Sequence, residues 1–418
     1  MKWFRHKSRP PARSSSYEET ATTRLLEQYN KFWFITCSPD FWIRQVNFSD
    51  TFVKVYRPTM ILNHLAMVIF CTSCTLSLWT QHDLTPSQQS DQLAYGLSTP
   101  IITVFYHFVM LYYTDDVREL MYQLAIVLKA SHNDEKAERE MISQSRLYNT
   151  IFFSSCVCNI LLVGMYNTYK VLTSDATFIT CISAWPDLAD TSTLAGMTRV
   201  LVYFLWFFHV VRNMGVFLII HTVLLFLGQQ YKNLQSYFEG LNDIFEDDSL
   251  SREEKDVKYE KMFRHGIQQH ALTLWCVNES QRVFKITFSF HVLLWCGLLI
   301  SILPDVMNDD THSFTVLAKN APRFSAALVG LGYFMWPAGD ITVEASILPL
   351  AMYGSGWQCC CQGSSRIRKL IVLAMMQAQV LRNLILMFLI IRPKLKRYFF
   401  CVSETDRNKG FWTIYFLL

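Results

Sequence analysis

Six long apolar segments, separated by polar connections, constrain the fold of this chain more than any other feature. A helix that crosses the ~30 Å hydrocarbon core of a bilayer needs about 20 mostly apolar residues. Six stretches have this length and carry few charges, which predicts an all-α membrane protein. They are residues 59–80, 93–114, 147–172, 200–228, 283–303 and 323–343.

The composition agrees with a membrane protein and disfavours a nucleic-acid partner. Hydrophobic residues make up 51% of the chain and charged residues 17%, whereas about a quarter of a typical soluble domain is charged. The formal net charge is +4, with no basic arm of the kind that follows a phosphate backbone.

Lysine and arginine alternate between the connections, and this pattern predicts the orientation. Their numbers in the six successive connections are 10, 0, 5, 0, 7 and 1. Because positive residues concentrate on the cytosolic side, the N-terminus is predicted inside. This orientation is opposite to that of G-protein-coupled receptors. The basic, polar residues 1–20 lack the apolar core of a signal peptide. The connections concerned are 1–58, 81–92, 115–146, 173–198, 229–282 and 304–322.

Two connections carry more specific expectations. In 227–245, apolar residues recur at helical spacing, so the fourth segment is predicted to continue into the cytosol as a helix. The charge-rich stretch 246–261 is predicted to be a solvated turn, with a helix resuming at 266–284. The outer connection 173–198 either covers a pocket or simply joins two spans.

The cysteines do not have the spacing of a zinc site or a disulfide framework. We interpret most of them as small apolar side chains, and Cys359–Cys361 as a candidate for lipidation beside the membrane. Arg212 lies within the fourth apolar segment and is expected to face the protein interior or to reach an interface. Asp340 and Glu344 lie one helical turn apart, with Arg366 or Arg368 as a candidate partner.

The position of the seventh span is ambiguous. Hydropathy favours residues 380–391, but twelve residues are short for a span. The alternative is 399–418, which would place the apolar end of the sequence in the membrane.

The last eighty residues contain five short motifs. They are Tyr-Gly-Ser-Gly-Trp at 353–357, Arg-Ile-Arg-Lys at 366–369, Met-Met-Gln-Ala-Gln at 375–379, Phe-Phe-Cys-Val-Ser at 399–403 and Thr-Ile-Tyr-Phe-Leu-Leu at 413–418. Together these motifs resemble the insect odorant receptor family. Gln377 replaces the arginine usual in that family, and 404–409 carries charges where the family is more apolar.

The resemblance implies a domain plan with seven inverted spans. Residues 1–58 would form the cytosolic N-terminal region, and 59–343 a six-helix ligand-binding bundle with cytosolic extensions at 229–282. Residues 344–398 would form a cytosolic anchor for subunit contacts, and 399–418 the final pore helix.

The resemblance also implies a function. The chain would be a subunit of an odorant-gated, non-selective cation channel in the plasma membrane of sensory-neuron dendrites. It would form a tetramer, with an odorant co-receptor or with itself, and would need no G protein. Thr413, Ile414 and Leu417 are the candidate pore residues, because a ring of apolar side chains can close a pore by dewetting.

A volatile apolar ligand would bind in the outer half of the bundle, where the resemblance places the pocket. Such a site is mostly apolar and aromatic, with few polar groups. The candidate ligand-binding residues are Tyr95, Thr99, Leu161, Gly164, Thr168, Tyr203, Trp206, Phe207, Phe324 and Leu328.

Two other functional classes are alternatives to an odorant-gated channel. A gustatory-type channel would share the architecture, but the Thr-Tyr and terminal Gln-Phe residues of those receptors are not seen in the last segment. A transporter would show internal repeats, and a membrane enzyme would show paired carboxylates or a nucleophile motif. The histidines in the spans are scattered and carry no such pattern, so we predict that the chain is not an enzyme and uses no cofactor or metal.

Overall fold

A computed structural model shows how these segments are arranged. It describes residues 17, 19–38, 41–42, 48–104, 109–174, 177–307, 314–360 and 364–379. The six-residue run at 413–418 and both candidates for the seventh span therefore lie outside the described residues.

The described part of the chain is built from helices. Twelve α-helices are joined by a π-helical turn at Gln123–Val127 and by 3₁₀ turns at Gly240–Asn242 and Trp357–Cys359. The α-helices are α1 Ala21–Ile35, α2 Asp50–Thr80, α3 Pro86–Ile102, α4 Val109–Tyr112, α5 Thr114–Tyr122, α6 Leu128–Ser131, α7 Glu135–Ser174, α8 Thr193–Glu239, α9 Asp243–Glu246, α10 Arg252–Met307, α11 Phe314–Tyr353 and α12 Ser364–Gln379.

Four of the described helices are long and apolar enough to cross a membrane. They contain the first, third and fourth predicted segments and most of the fifth, and lie at Asp50–Thr80, Glu135–Thr173, Thr193–Glu246 and Arg252–Ile300. The second segment falls on α3 and α4, and the sixth on α11. The prediction of an all-α membrane protein is confirmed, while the seven-span topology stays a prediction.

Helix α8 forms the centre of the bundle. Its residues from 212 to 227 are buried on every side, as expected for a helix that is apolar all round. It packs against α7, α10 and α11. Arg212 is only 4% exposed, so this arginine lies in the protein interior.

The predicted charge-rich turn is shorter than the sequence suggested. Helix α10 begins at Arg252, not near residue 266. Ser251 and Glu254 form a reciprocal cap, in which each backbone N–H donates to the other side chain, at 2.9 and 3.4 Å. This capping box satisfies two N–H groups that the helix itself leaves free. The Arg264–Glu260 ion pair, at 2.6 Å, adds support within the helix.

A buried ion pair connects α1 to α6 and to the start of α7. The Lys129 ammonium lies 2.9 Å from a Glu138 carboxylate oxygen. Thr22 donates to the same oxygen through its backbone N–H at 2.9 Å, and its hydroxyl also contacts Lys129. Asn133 donates to the other oxygen at 2.9 Å. Burial lowers the pKa of Lys129, and its hydrogen bond with Glu138 opposes that change.

The Tyr-Gly-Ser-Gly-Trp motif forms the tight turn after α11. Gly356 has a φ of 84°, a left-handed conformation that glycine adopts without a side-chain clash. Tyr259 of α10 and Ser355 are hydrogen-bonded through their hydroxyls at 2.6 Å. Asn242 donates to the Gly354 carbonyl at 2.9 Å. The motif therefore docks the end of α11 onto the 3₁₀ turn after α8 and onto α10.

Candidate ligand-binding site

Three aromatic side chains from the candidate list meet in the half of the bundle that the predicted orientation places outside. The Trp206 ring lies edge-on to Tyr95, with centroids 6.4 Å apart. Trp206 is also 6.1 Å from Tyr203. Helix α8 presents Tyr203 and Trp206 on one face because they are three residues apart, and α3 supplies Tyr95. We call Tyr95, Tyr203 and Trp206 the aromatic cluster.

Two further candidates support this cluster. Tyr203 donates its hydroxyl to the Ile160 carbonyl of α7 at 3.1 Å, and Gly164, one turn further, leaves room for the phenol. Thr99 is buried, and its hydroxyl donates to the Tyr95 carbonyl at 2.5 Å. Five of the ten candidate ligand residues therefore lie in one region.

The outer connection lies over the aromatic cluster. Phe178 meets Tyr203 edge-on, with centroids 5.8 Å apart. Gln81, at the end of α2, donates to the Ser183 and Pro186 carbonyls at 3.1 and 3.0 Å. These bonds hold the connection in place, so its covering role is favoured over that of a simple link.

A second anchor fixes the same connection to α8. Arg199 donates to the Asp187 and Asp190 carbonyls at 2.8 and 2.7 Å. Arg323 of α11 and Asp91 of α3 form an ion pair at 2.6 Å. The outer end of the bundle is thus held together by polar contacts around an apolar interior.

The other five candidates lie on more open surfaces. Leu161 and Thr168 of α7 are exposed, as are Phe324 and Leu328 of α11. Phe207 is half-buried, and its ring meets the neighbouring Phe208. Their role in ligand contact stays a prediction.

The sequence reasoning missed the contribution of α2 and of the outer connection. Four α2 residues pack with Cys181 and Val202 against Tyr95 and Trp206. Their spacing places them on one helical face, while most of the other apolar residues of α2 remain exposed. This stripe of polarisable side chains is visible in the sequence and could have predicted the contribution of α2 to the site. These α2 residues are Met67, Phe70, Cys71 and Cys74.

Polar groups lie on the inner side of this apolar cluster. His209 Nδ1 is 3.0 Å from Met67 Sδ, and His209 Nε2 is 3.0 Å from the Asn213 amide nitrogen. Both side chains are buried. His209 and Asn213 therefore place hydrogen-bonding groups at one end of the apolar cluster, where a ligand with one polar group could form a hydrogen bond.

The two carboxylates near the inner end of α11 do not have the partner suggested by sequence. Arg366 pairs with Glu260 at 3.3 Å. Glu344 instead accepts a hydrogen bond from the Gln235 amide at 3.0 Å. The candidate pore residues Thr413, Ile414 and Leu417 lie outside the described residues.

Comparison with solved structures gives the class of the fold. The insect olfactory receptor OR5 from Machilis hrabei aligns with a TM-score of 0.60 and 12% identity, over 85% of this chain and 89% of that one. The structure of the same receptor in complex with eugenol aligns with a TM-score of 0.61 and 12% identity, over 86% and 91%. The chain therefore has the fold of an insect olfactory receptor, a helical membrane protein.

The family follows from the sequence itself. Residues 92–403 match the profile of the 7tm Odorant receptor family, which covers more than half of the chain. The chain belongs to this family, and the resemblance noted in the last eighty residues is confirmed. The matching profile is that of odorant receptors, which favours the odorant interpretation over the gustatory, transporter and enzyme alternatives. A search of curated proteins found no match.

Proposed function

We propose that this chain is a subunit of an odorant-gated, non-selective cation channel. The observation that carries the proposal is the aromatic cluster beneath the outer connection, in a chain of the odorant receptor family. The ligand would be a small, volatile, mostly apolar molecule held among Tyr95, Tyr203 and Trp206.

The chemistry of this region suits such a ligand. Aromatic rings prefer edge-to-face and offset contacts, and the cluster presents both edges and faces. Its hydrogen-bonding groups are few, so most of the affinity would come from buried apolar area. The complex of the Machilis hrabei receptor with eugenol supports a small-molecule ligand for this chain as well.

The cytosolic helix α12 is the proposed subunit contact. One face, including Ile367, Ile371 and Ala374, is buried against the rest of the chain, while Leu373 and Met376 are exposed. An exposed apolar stripe on a cytosolic helix favours contact with a neighbouring subunit. We propose a tetramer, formed with an odorant co-receptor or with identical chains.

We also propose which residues line the pore and where in the cell the channel lies. Residues 399–418 would line the pore, with Thr413, Ile414 and Leu417 at its narrowest part. Ligand binding would open it directly, without a G protein, in the plasma membrane of sensory-neuron dendrites.

The gating step is a shift between two conformations. A ligand changes such an equilibrium only through its different affinities for the two states. Helix α11 forms the inner core with α8 and leads into α12 through the Tyr-Gly-Ser-Gly-Trp turn. A change at the outer ends of α8 and α11 would therefore reach the proposed subunit contact.

Whole-cell current tests this proposal. The chain is expressed with and without an insect odorant co-receptor, and a panel of volatiles is applied. We expect a cation current that is abolished or shifted to at least tenfold higher ligand concentration by Trp206→Ala and Tyr203→Ala. Phe208→Ala is the matched control, because Phe208 is an exposed aromatic residue on the same helix.

Three results would count against parts of the proposal. A current that requires G-protein signalling would contradict direct gating. Equal losses in Phe208→Ala and Trp206→Ala would contradict the position of the ligand. Silence with and without the co-receptor, despite confirmed surface expression, would contradict an odorant-gated channel for the ligands tested.

A further inference from the structure

A cleft lies at the other end of the bundle, away from the aromatic cluster. Its volume is about 130 Å³, several times the ~10–15 Å³ that holds one water molecule. Helices α7, α8 and α11 form its walls, close to the inner ends of the third, fourth and sixth predicted segments. The lining residues are Ala137, Met141, Gln144, Leu224, Leu225, Gly228, Gln229, Lys232, Pro337, Asp340 and Glu344.

The buried part of the cleft contains an unsatisfied amide. Gln229 is 3% exposed, and neither its amide oxygen nor its amide nitrogen has a hydrogen-bond partner among the described residues. Buried polar groups are nearly always paired because leaving them unpaired is costly. A ligand with both a donor and an acceptor would satisfy this side chain.

The open part of the cleft carries charges of both signs. Asp340 is exposed, and Glu344, one turn further along α11, is half-buried. Lys232 of α8 is on the opposite wall and lies 3.3 Å from Glu140 outside the cleft. The lining thus carries two carboxylates and one ammonium group, which favours a ligand that bears a positive group.

The shape and the donor set argue for an organic cation. The described residues contain no group of three or more His, Cys, Asp or Glu side chains that could hold a metal ion. The apolar part of the lining, including Leu224, Leu225 and Met141, suits methylene groups. The cleft therefore fits a ligand with a charged head and a short hydrocarbon portion.

We propose that this cleft binds the headgroup of an inner-leaflet lipid that carries a primary ammonium and a phosphate, as in phosphatidylethanolamine. The ammonium would donate to Asp340 and Glu344, and the phosphate would accept from Lys232. Gln229 would pair with the ammonium through its oxygen and with the phosphate through its nitrogen. The predicted orientation supports this source, because it places the inner ends of the three spans at headgroup depth.

The bound lipid would join α8 to α11 near the end of α11 that leads to the proposed subunit contact. Anything that binds only the folded arrangement stabilises it by mass action. The lipid would therefore stabilise the packing of these two helices independently of odorant.

Thermal unfolding of the purified full-length protein in detergent tests the proposal. Phosphatidylethanolamine, phosphatidylglycerol and free ethanolamine are titrated separately. We expect the ethanolamine lipid to raise the unfolding midpoint by several degrees and the glycerol lipid to have little effect. Asp340→Asn should weaken the response at least tenfold in lipid concentration, while Glu239→Gln, an exposed acidic residue of α8 outside the cleft, should not.

Gln229→Leu separates a binding role from a packing role. Without lipid, replacing an unsatisfied buried amide by an apolar side chain of similar size should leave the protein as stable or more stable. With the ethanolamine lipid, the same variant should show a smaller increase than the original chain. A lipid response equal to that of the original chain would overturn the proposal.

Two further outcomes would overturn it without relying on any variant. Equal stabilisation by both lipids would show that the ammonium is not recognised. Stabilisation by free ethanolamine at the same concentration as the lipid would assign the cleft to a soluble amine. Neither result depends on the odorant site, since odorant-evoked current is not the readout.

Discussion

The phenol of Tyr203 on α8 lies directly against Gly164 on α7. The Tyr203 hydroxyl donates to the Ile160 carbonyl at 3.1 Å, and a Cβ atom at position 164 would lie 2.6 Å from the Tyr203 oxygen. Two helices can approach this closely only because residue 164 has no side chain. The contact fixes the ring that α8 contributes to the proposed ligand site.

Gly164→Ala should therefore weaken the ligand response. The added methyl group forces Tyr203 to move, and overpacking of this kind costs about 1–3 kcal/mol. We expect the half-maximal odorant concentration to rise about tenfold, which corresponds to about 1.4 kcal/mol. Dose–response curves with equal surface expression measure the shift.

Gly297→Ala is the control for this change. Position 297 is also helical, and an added Cβ there meets nothing within 4 Å. Its dose–response curve should match that of the original chain. A similar shift in both variants would show that the effect is not specific to the Tyr203 contact.

The buried pair of Lys129 and Glu138 should behave as a unit. Removing one partner leaves an uncompensated buried charge, which costs roughly 3–5 kcal/mol. Lys129→Met should therefore lower the thermal midpoint of the purified protein strongly, whereas Lys129→Met combined with Glu138→Leu should recover much of the loss. Additive losses in the double variant would contradict the coupling.

The exposed ion pair of Arg139 and Glu135, at 3.7 Å, is the comparison for the Lys129 and Glu138 variants. Exposed ion pairs contribute about 0–1 kcal/mol. Arg139→Met should therefore change the midpoint little. This contrast separates the effect of burial from the loss of a positive charge.

The sequence alone predicted much of this fold because the membrane limits the alternatives. The apolar segments and the alternation of Lys and Arg are local signals, and they located α2, α7, α8 and α10 well. The start of α10 was missed because the charges at 252–261 suggested a turn. The Ser251–Glu254 cap was visible in the sequence and would have placed it.

The candidate site was harder to predict because it depends on which helices meet. Tyr95, Tyr203 and Trp206 were selected as outer-half aromatics, and the structure brings them together. The same reasoning selected Phe324 and Leu328, which are exposed. Periodicity shows that a helix has two faces, but not which neighbour each face meets, and it gave no reason to include Phe178.

His132 should make stability depend on pH. It lies in the turn before α7, with its ring edge-on to Tyr237 at 5.4 Å, and Asp134 is the charged group acting on it. Burial lowers the pKa of His132 below its usual 6.5, and Asp134 opposes the shift. The unfolded chain therefore binds a proton more readily than the folded chain, so stability falls progressively as the pH falls from about 6.5 towards the lower pKa of the folded state.

His132→Phe should reduce the loss of thermal stability between pH 7.5 and 5.5, because the variant has no proton to bind at this position. Thermal midpoints of purified protein across that range measure the slope. His82→Phe, which changes an exposed histidine between α2 and α3, controls for the substitution itself. An unchanged slope in His132→Phe would assign the pH dependence to other groups.

The two glycines of the Tyr-Gly-Ser-Gly-Trp motif should differ sharply in their tolerance of alanine. Gly356 has a φ of 84°, and a left-handed residue with a Cβ costs roughly 1–2 kcal/mol. The added atom would also collide with the Asn242 side chain. At Gly354 an added Cβ would meet only backbone oxygens, at 3.5 and 3.8 Å, in ordinary contact.

We therefore expect Gly356→Ala to reduce surface expression and lower the thermal midpoint by several degrees, while Gly354→Ala has little effect. The strain acts where α11 docks onto the extensions of α8 and α10, so ligand-evoked current per surface receptor should fall as well. Equal behaviour of the two variants would show that the turn tolerates a side chain at either position. It would also remove the conformational reason for glycine at position 356 of the motif.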